Sequence, residues 1–133
     1  MTLKKKDKAA LVTFRLQKAK ETIAEAKVMM DMKFWRASAN RLYYACYYAV
    51  VALLAQNDLS THTHAGVISQ LSLHFVKSGL LSVEKGKFYK QLFELRQTGD
   101  YDDWIFIEEK DVKPLIEPVE IFIAEIENLI QNS

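Results

Sequence analysis

The segment ELRQTGDYDDW (residues 94–104) places Arg96, Asp100 and Tyr101 within six positions of one another. A guanidinium, a carboxylate four residues on and a phenol beside it make an anion clamp, an orienting charge and a hydrogen-bond donor. Arginine suits two-pronged contacts with phosphate or carboxylate in partly buried sites. The chain has four arginines against fourteen lysines, and two of the four, Arg41 and Arg96, lie in otherwise apolar stretches. A guanidinium in such surroundings must be paired or must serve an anion. A plainer reading competes: Arg96 pairs with Asp100 four residues later and pins a helix end. Spacing alone favours the plainer reading.

A second set of candidates lies in ASANRLYYACYYAVVALLA (residues 37–55). At helical spacing Arg41, Tyr44 and Tyr48 share one face, and Asn40, Tyr43 and Tyr47 the adjacent one. The tyrosines could stack on bases, although core packing with a hydroxyl at the rim explains them as well. Of the three histidines, His62 and His64 lack the four-residue helical spacing of a paired metal site, so no metal is expected. His64 stands where a helix should begin, and backbone N–H groups at such a terminus attract anions. The four glycines are scattered and form no phosphate loop, so no cofactor is expected either. Asn40, Arg41, Tyr44 and His64 are therefore the candidate ligand-binding residues, and Arg96, Asp100 and Tyr101 the candidate chemical ones.

The elements that must position these residues are all helical. Val12, Leu16, Ala19, Ile23, Ala26 and Met30 recur in steps of four and three, predicting one long amphipathic helix over about residues 5–32. The second helix, about 34–57, is apolar nearly all round and should lie at the centre. A third, about 63–77, would be capped by Thr61 or Thr63, bury Val67, Leu71 and Phe75, and close at Gly79. Ser82 should cap a fourth, with Phe88, Leu92 and Leu95 inward and Gly99 as its end. The last, about 109–131, buries Val112, Leu115, Val119, Phe122, Ile126 and Leu129, and Pro118 should kink its start. With no period-two segment, the expected fold is an all-α, antiparallel up-and-down bundle of about five helices in one domain, residues 1–133.

Composition narrows the function classes. A net charge of +1, from 18 basic and 17 acidic residues, argues against nucleic-acid binding by bulk charge. Cys46 is the single cysteine, so neither an internal disulfide nor a cysteine metal cage can form. The longest apolar run, residues 42–55, falls short of the roughly twenty residues of a membrane span. The basic start reads as no signal peptide, since Arg15 interrupts its apolar stretch. A cytoplasmic chain with no membrane partner is expected.

Four stretches in order, ANRLYYACYYAVVALL, THAGVIS, HFVKSG and LFELRQTGDYDD, resemble the HEPN (higher eukaryotes and prokaryotes nucleotide-binding) family, in its small stand-alone prokaryotic branch. The resemblance covers about residues 10–130. It implies a helical bundle that forms a homodimer, often a toxin–antitoxin component beside a minimal nucleotidyltransferase. Many members are metal-independent ribonucleases in which an arginine holds phosphate and a histidine four to six residues later handles protons. Arg96 falls on the family arginine, but Tyr101, Asp102 and Asp103 occupy the histidine window. From Asp100 to Asp111 six acidic residues face one lysine, a field that repels an RNA backbone.

The leading expectation is therefore a nucleotide- or RNA-binding module with little or no ribonuclease activity. In it Arg96 holds phosphate, Asp100 orients Arg96 or Arg41, and Tyr101 donates a hydrogen bond. One alternative is a ribonuclease toxin in which Tyr101, or His64 brought in from elsewhere, replaces the missing histidine. The other is a structural dimeric bundle in which Arg96, Asp100 and Tyr101 only lock a helix end. A homodimer burying the tyrosine-rich surface of the second helix is expected in each case.

Overall fold

The computed structural model describes residues 4–132; the outermost residues of the expected 1–133 domain lie outside them. Helix α1 spans Lys5–Asp31 and α2 spans Trp35–Gln56. Helix α3, His64–Leu71, continues as a π-helical turn over Ser72–Val76. Helix α4 spans Val83–Tyr101, α5 is the short Glu109–Val112, and a 3-10 turn at Lys113–Leu115 joins it to α6, Ile116–Gln131. Among the described residues there is no strand. The architecture is an all-α bundle.

Helix α2 is the central rod, packed against α1, α3, α4 and α6. Its composition dictates this. Ala39, Ala45, Ala49 and Ala52 are buried to 1% exposure or less and let neighbouring backbones approach, while Leu42, Val50 and Leu53 fill the space between. Val12, Ala19 and Ala26 of α1 complete the seam on one side, and Val119, Phe122 and Ile126 of α6 on another. Buried Thr22 and Ser38 satisfy their hydroxyls on backbone carbonyls one turn back, those of Lys18 and Phe34. Cys46 is wholly buried, and burial pushes its thiol far above the ordinary range, so it acts as a small core residue.

The turn chemistry follows expectation at several joints. Thr63 caps α3 by accepting from the Gly66 N–H, and Ser82 caps α4 by accepting from the Lys85 N–H. Gly79, at φ 83°, closes the rod of α3 and its π turn. The last rod breaks at the 3-10 turn, four residues before Pro118, whose missing N–H leaves the carbonyl of Pro114 without a helical partner.

Gly99 departs from expectation. It does not end α4, which runs on to Tyr101. A glycine ends a helix when it adopts positive φ, and Gly99 is not among the positive-φ residues. It is instead buried against the loop that follows, where an added Cβ would stand 3.6 Å from Ile107.

Candidate functional site

The first half of α2, the last turns of α4 and the first turn of α3 converge on a cluster of tyrosine rings. Arg96 enters it from α4 and is only 9% exposed. Its Nη2 donates to the Tyr44 hydroxyl at 2.9 Å, and its Nε lies 2.9 Å from Oδ2 of Asp100. The Nε–H is buried and is not aimed at that oxygen, so this contact is an ion pair rather than a well-directed hydrogen bond. Three rings surround the guanidinium carbon, with centroids 5.2 Å (Tyr44), 5.5 Å (Tyr101) and 5.8 Å (Tyr43) away. Each is within cation–π range.

Asn40 links the two arginines. Its Nδ2 donates to Asp100 Oδ2 at 3.0 Å, while its Oδ1 accepts from Nε and Nη2 of Arg41 at 3.0 and 2.8 Å. Arg41 also pairs with Glu25 of α1 at 3.2 Å, and its guanidinium carbon lies 5.4 Å from the Tyr44 centroid. Asp100 therefore orients Arg96 directly and reaches Arg41 through Asn40. Two guanidinium groups thus share one tyrosine ring, and each has a carboxylate beside it, Glu25 for Arg41 and Asp100 for Arg96.

His64 joins the cluster from the start of α3. Its Nδ1 is 2.7 Å from the Tyr43 hydroxyl, and its ring packs on Tyr43, Tyr44, Tyr47 and Phe93. The Tyr43 hydroxyl also lies 3.4 Å from that of Tyr89, which stacks on Tyr43 and on Phe122. Burial pushes the Tyr43 phenol up to about 12, with the Tyr89 hydrogen bond acting against that rise. Burial likewise raises the Tyr89 phenol well above its ordinary value. Both phenols therefore keep their protons at neutral pH. When Tyr43 donates to Nδ1, the imidazole proton sits on Nε2. When Tyr43 donates to Tyr89 instead, Nδ1–H can donate to Tyr43 and leave Nε2 free to accept a proton.

The His64 ring is held below its ordinary pKa, chiefly by burial and secondly by the charge of Arg96. The unfolded chain protonates it below about pH 6.5. Stability supplied by the neutral ring is thus complete above about pH 6.5 and falls as pH drops toward the lowered folded value, where the loss levels off. Urea denaturation at successive pH values through this window is expected to show a decline that His64→Gln lacks. Identical curves for the two proteins would contradict the assignment.

Arg36 has a role that the sequence reading missed. Its Nη1 donates to the Gly99 carbonyl, and its Nη2 donates to the carbonyls of Ile105 and, at 3.2 Å, Asp102. One side chain thus straps the loop after α4 to the start of α2 and satisfies carbonyls left open at the helix end. The clue in the sequence was modest: a third arginine, in the first turn of the central helix.

Tyr101 lies at the rim, 73% exposed, with one ring face toward Arg96. The structure thus gathers all seven candidates, Asn40, Arg41, Tyr44, His64, Arg96, Asp100 and Tyr101, around Tyr43 and Tyr44. The same arrangement contains the pair that the helix-lock reading requires. It also contains more than a lock needs: a second arginine, an asparagine bridge and an imidazole at the same rings.

Comparison with known proteins agrees with this architecture. A family model described as the HEPN domain matches residues 12–129. The "UPF0332 protein" of Thermotoga maritima is 37% identical over 126 residues, 95% of this chain and 96% of that one. Two proteins of Methanocaldococcus jannaschii are also similar. "Putative toxin MJ0605" is 30% identical over 85% of this chain and 84% of its own, and "Putative toxin MJ0142" is 28% identical over 81% and 74%. The bundle, the match over nearly the whole of both chains and the family model lead to one conclusion: the chain belongs to the HEPN family.

Proposed function

We propose that this chain is a nucleotide- or RNA-binding module of a toxin–antitoxin or defence system, acting in the cytoplasm as a homodimer beside a nucleotidyltransferase partner. The observation that carries the binding role is the placement of Arg41 and Arg96 over the single ring of Tyr44, at 5.4 and 5.2 Å. A phosphate held by both guanidiniums would add an anion to the carboxylates, Glu25 and Asp100, that pair with them. Arg96 holds that phosphate, Asp100 orients Arg96, and Asn40 keeps Arg41 in register. Tyr44 and Tyr101 supply the aromatic wall, and Tyr101 donates from the rim. The toxin setting draws its support from the names of the Methanocaldococcus relatives. The nucleotidyltransferase partner rests on what the family resemblance implies.

Fluorescence anisotropy with a short single-stranded RNA, measured across a range of salt, tests the proposal. One neutralised phosphate gives a slope of log K against log salt of about −0.7. Arg41→Gln is expected to weaken binding and flatten that slope. Binding with no salt dependence, or unchanged in Arg41→Gln, would count against a two-arginine site.

A second reading, a metal-independent ribonuclease, is favoured by one observation: the 2.7 Å contact of His64 with Tyr43 beside Arg96. It provides a neutral imidazole from α3 in place of the histidine absent after Arg96.

A further inference from the structure

Rings and cations continue to alternate beyond the two arginines, across α2 and onto α1. The ring of Tyr44 lies 6.1 Å from that of Tyr48, one turn further along α2. Lys18 of α1 sets its ammonium 5.4 Å from the Tyr48 ring and 5.8 Å from that of Phe14. Both distances are within cation–π range. Phe14 is 61% exposed. Arg15, its neighbour in sequence, donates to the Val51 carbonyl of α2 at 2.9 Å, about one turn beyond Tyr48. The two ends of this track differ in charge balance. Arg41 and Arg96 each have a carboxylate beside them, Glu25 and Asp100. Among the described residues, Arg15 and Lys18 have none within ion-pairing distance. Glu21, three residues on from Lys18, is instead taken by Gln17, which donates to it at 3.4 Å.

We propose that Phe14, Lys18 and Tyr48, with Arg15, form a second subsite, and that one unpaired RNA strand runs from it to the Arg41–Arg96 pair. The spacing fits a strand. Lys18 meets Tyr48, and Glu25 meets Arg41, seven residues away on each of the two antiparallel helices. The two levels therefore stand about 10 Å apart. A stacked strand advances about 3.4 Å per phosphate, so roughly three nucleotides separate them. With one phosphate at Arg41 and Arg96, a later phosphate of the same strand reaches Lys18 and Arg15, whose charge is uncompensated. Bases between and beyond them stack on Tyr48 and on the open ring of Phe14. Stacking of this kind accepts any base but requires that it be unpaired. A duplex keeps its bases from these rings, and a free nucleotide fills one end only. The other lysine-rich surface, Lys77, Lys87 and Lys90 around the groove between α3 and α4, lacks this feature, because Tyr89 is the one ring lining it and is fully buried. The proposal rests on the two-arginine reading, and it gives the outer tyrosine face of α2 to RNA rather than to a second protomer.

Fluorescence anisotropy with a labelled RNA dinucleotide and a labelled single-stranded octanucleotide provides the test, on wild type, Phe14→Ala, Lys18→Gln and Arg41→Gln. Phe14 and Lys18 are exposed, so their variants should fold, which circular dichroism checks. Wild type should bind the octanucleotide at least about tenfold more tightly than the dinucleotide, and with a steeper dependence on salt, because Lys18 meets a further phosphate. Phe14→Ala and Lys18→Gln should each weaken the octanucleotide by about fivefold or more and leave the dinucleotide unchanged. Arg41→Gln should weaken both. A wild type that binds neither RNA overturns the two-arginine reading and the second subsite with it. Equal affinity for the two lengths, or octanucleotide binding unchanged in both Phe14→Ala and Lys18→Gln, overturns the second subsite alone. So does light scattering in which these two variants change the mass of the protein while octanucleotide affinity stays the same, since the face is then a protein contact.

Discussion

Replacing Arg96 by alanine is expected to lower both stability and RNA binding, and replacing it by lysine is expected to separate the two. The alanine variant leaves the Asp100 carboxylate without its cation and the Tyr44 hydroxyl without its donor, in a setting where Arg96 is nearly buried. Hydrogen bonds to charged groups contribute about 1.5–3 kcal/mol, so a stability loss of about 2 kcal/mol follows. A loss of that size alone would fit the helix-lock reading equally well. Lysine decides between them. It keeps the charge opposite Asp100, so the lock and most of the stability survive. It cannot present a planar fork stacked among three tyrosine rings, so binding should still fall by about tenfold or more. A folded Arg96→Lys protein that binds RNA as tightly as wild type would leave Arg96 a structural pin.

Purified protein is expected to show little or no ribonuclease activity, with or without chelator. A tyrosine hydroxyl serves as a hydrogen-bond donor far better than as a general base, which leaves Tyr101 ill suited to take the 2′-hydroxyl proton. It projects from the rim beside Asp100, Asp102 and Asp103, which repel an approaching RNA backbone. The other candidate, His64, has its Nδ1 2.7 Å from the Tyr43 hydroxyl, which lies 3.4 Å from that of Tyr89. Incubating structured and single-stranded RNA with wild type, Tyr101→Phe and His64→Ala resolves the roles. Strong chelator-resistant cleavage lost in Tyr101→Phe would make the phenol the working group and promote the toxin enzyme. Cleavage that survives Tyr101→Phe but falls by about a hundredfold or more in His64→Ala would show that α3 supplies the proton-handling residue.

Periodicity made most of the fold legible. The stripes of α1, α3 and α6 bury the side chains that a helical repeat requires, and Thr63, Ser82 and Gly79 mark ends by local chemistry that depends on few distant contacts. Gly99 was misread because a glycine in a helix serves equally as a terminus or as a place of close packing. Only the loop carrying Ile107 decides which. The π turn after α3 was illegible for a related reason: its sequence, SLHFV, keeps the helical apolar spacing.

At the site, residue types signalled more than spacing could. Arg41 and Arg96 stood out as guanidiniums in apolar helices, yet nothing in the sequence showed that both would meet Tyr44, 52 positions from Arg96. Separation along the chain likewise hid the Tyr43–His64 contact, 21 positions apart, and the loop strap made by Arg36, which reaches 63 and 66 positions on. Such pairings arise from how α2, α3 and α4 dock, and helix docking is set by the whole core.

The most direct measurement is a crystal structure of the protein bound to a short 5′-phosphorylated RNA. The two-arginine site predicts a phosphate between the guanidiniums of Arg41 and Arg96 at the Tyr44 ring, with Asn40 still bridging Asp100 and Arg41. A phosphate held instead by Lys77, Lys87 and Lys90, with Arg96 still closed on Asp100 and Tyr44, would contradict it.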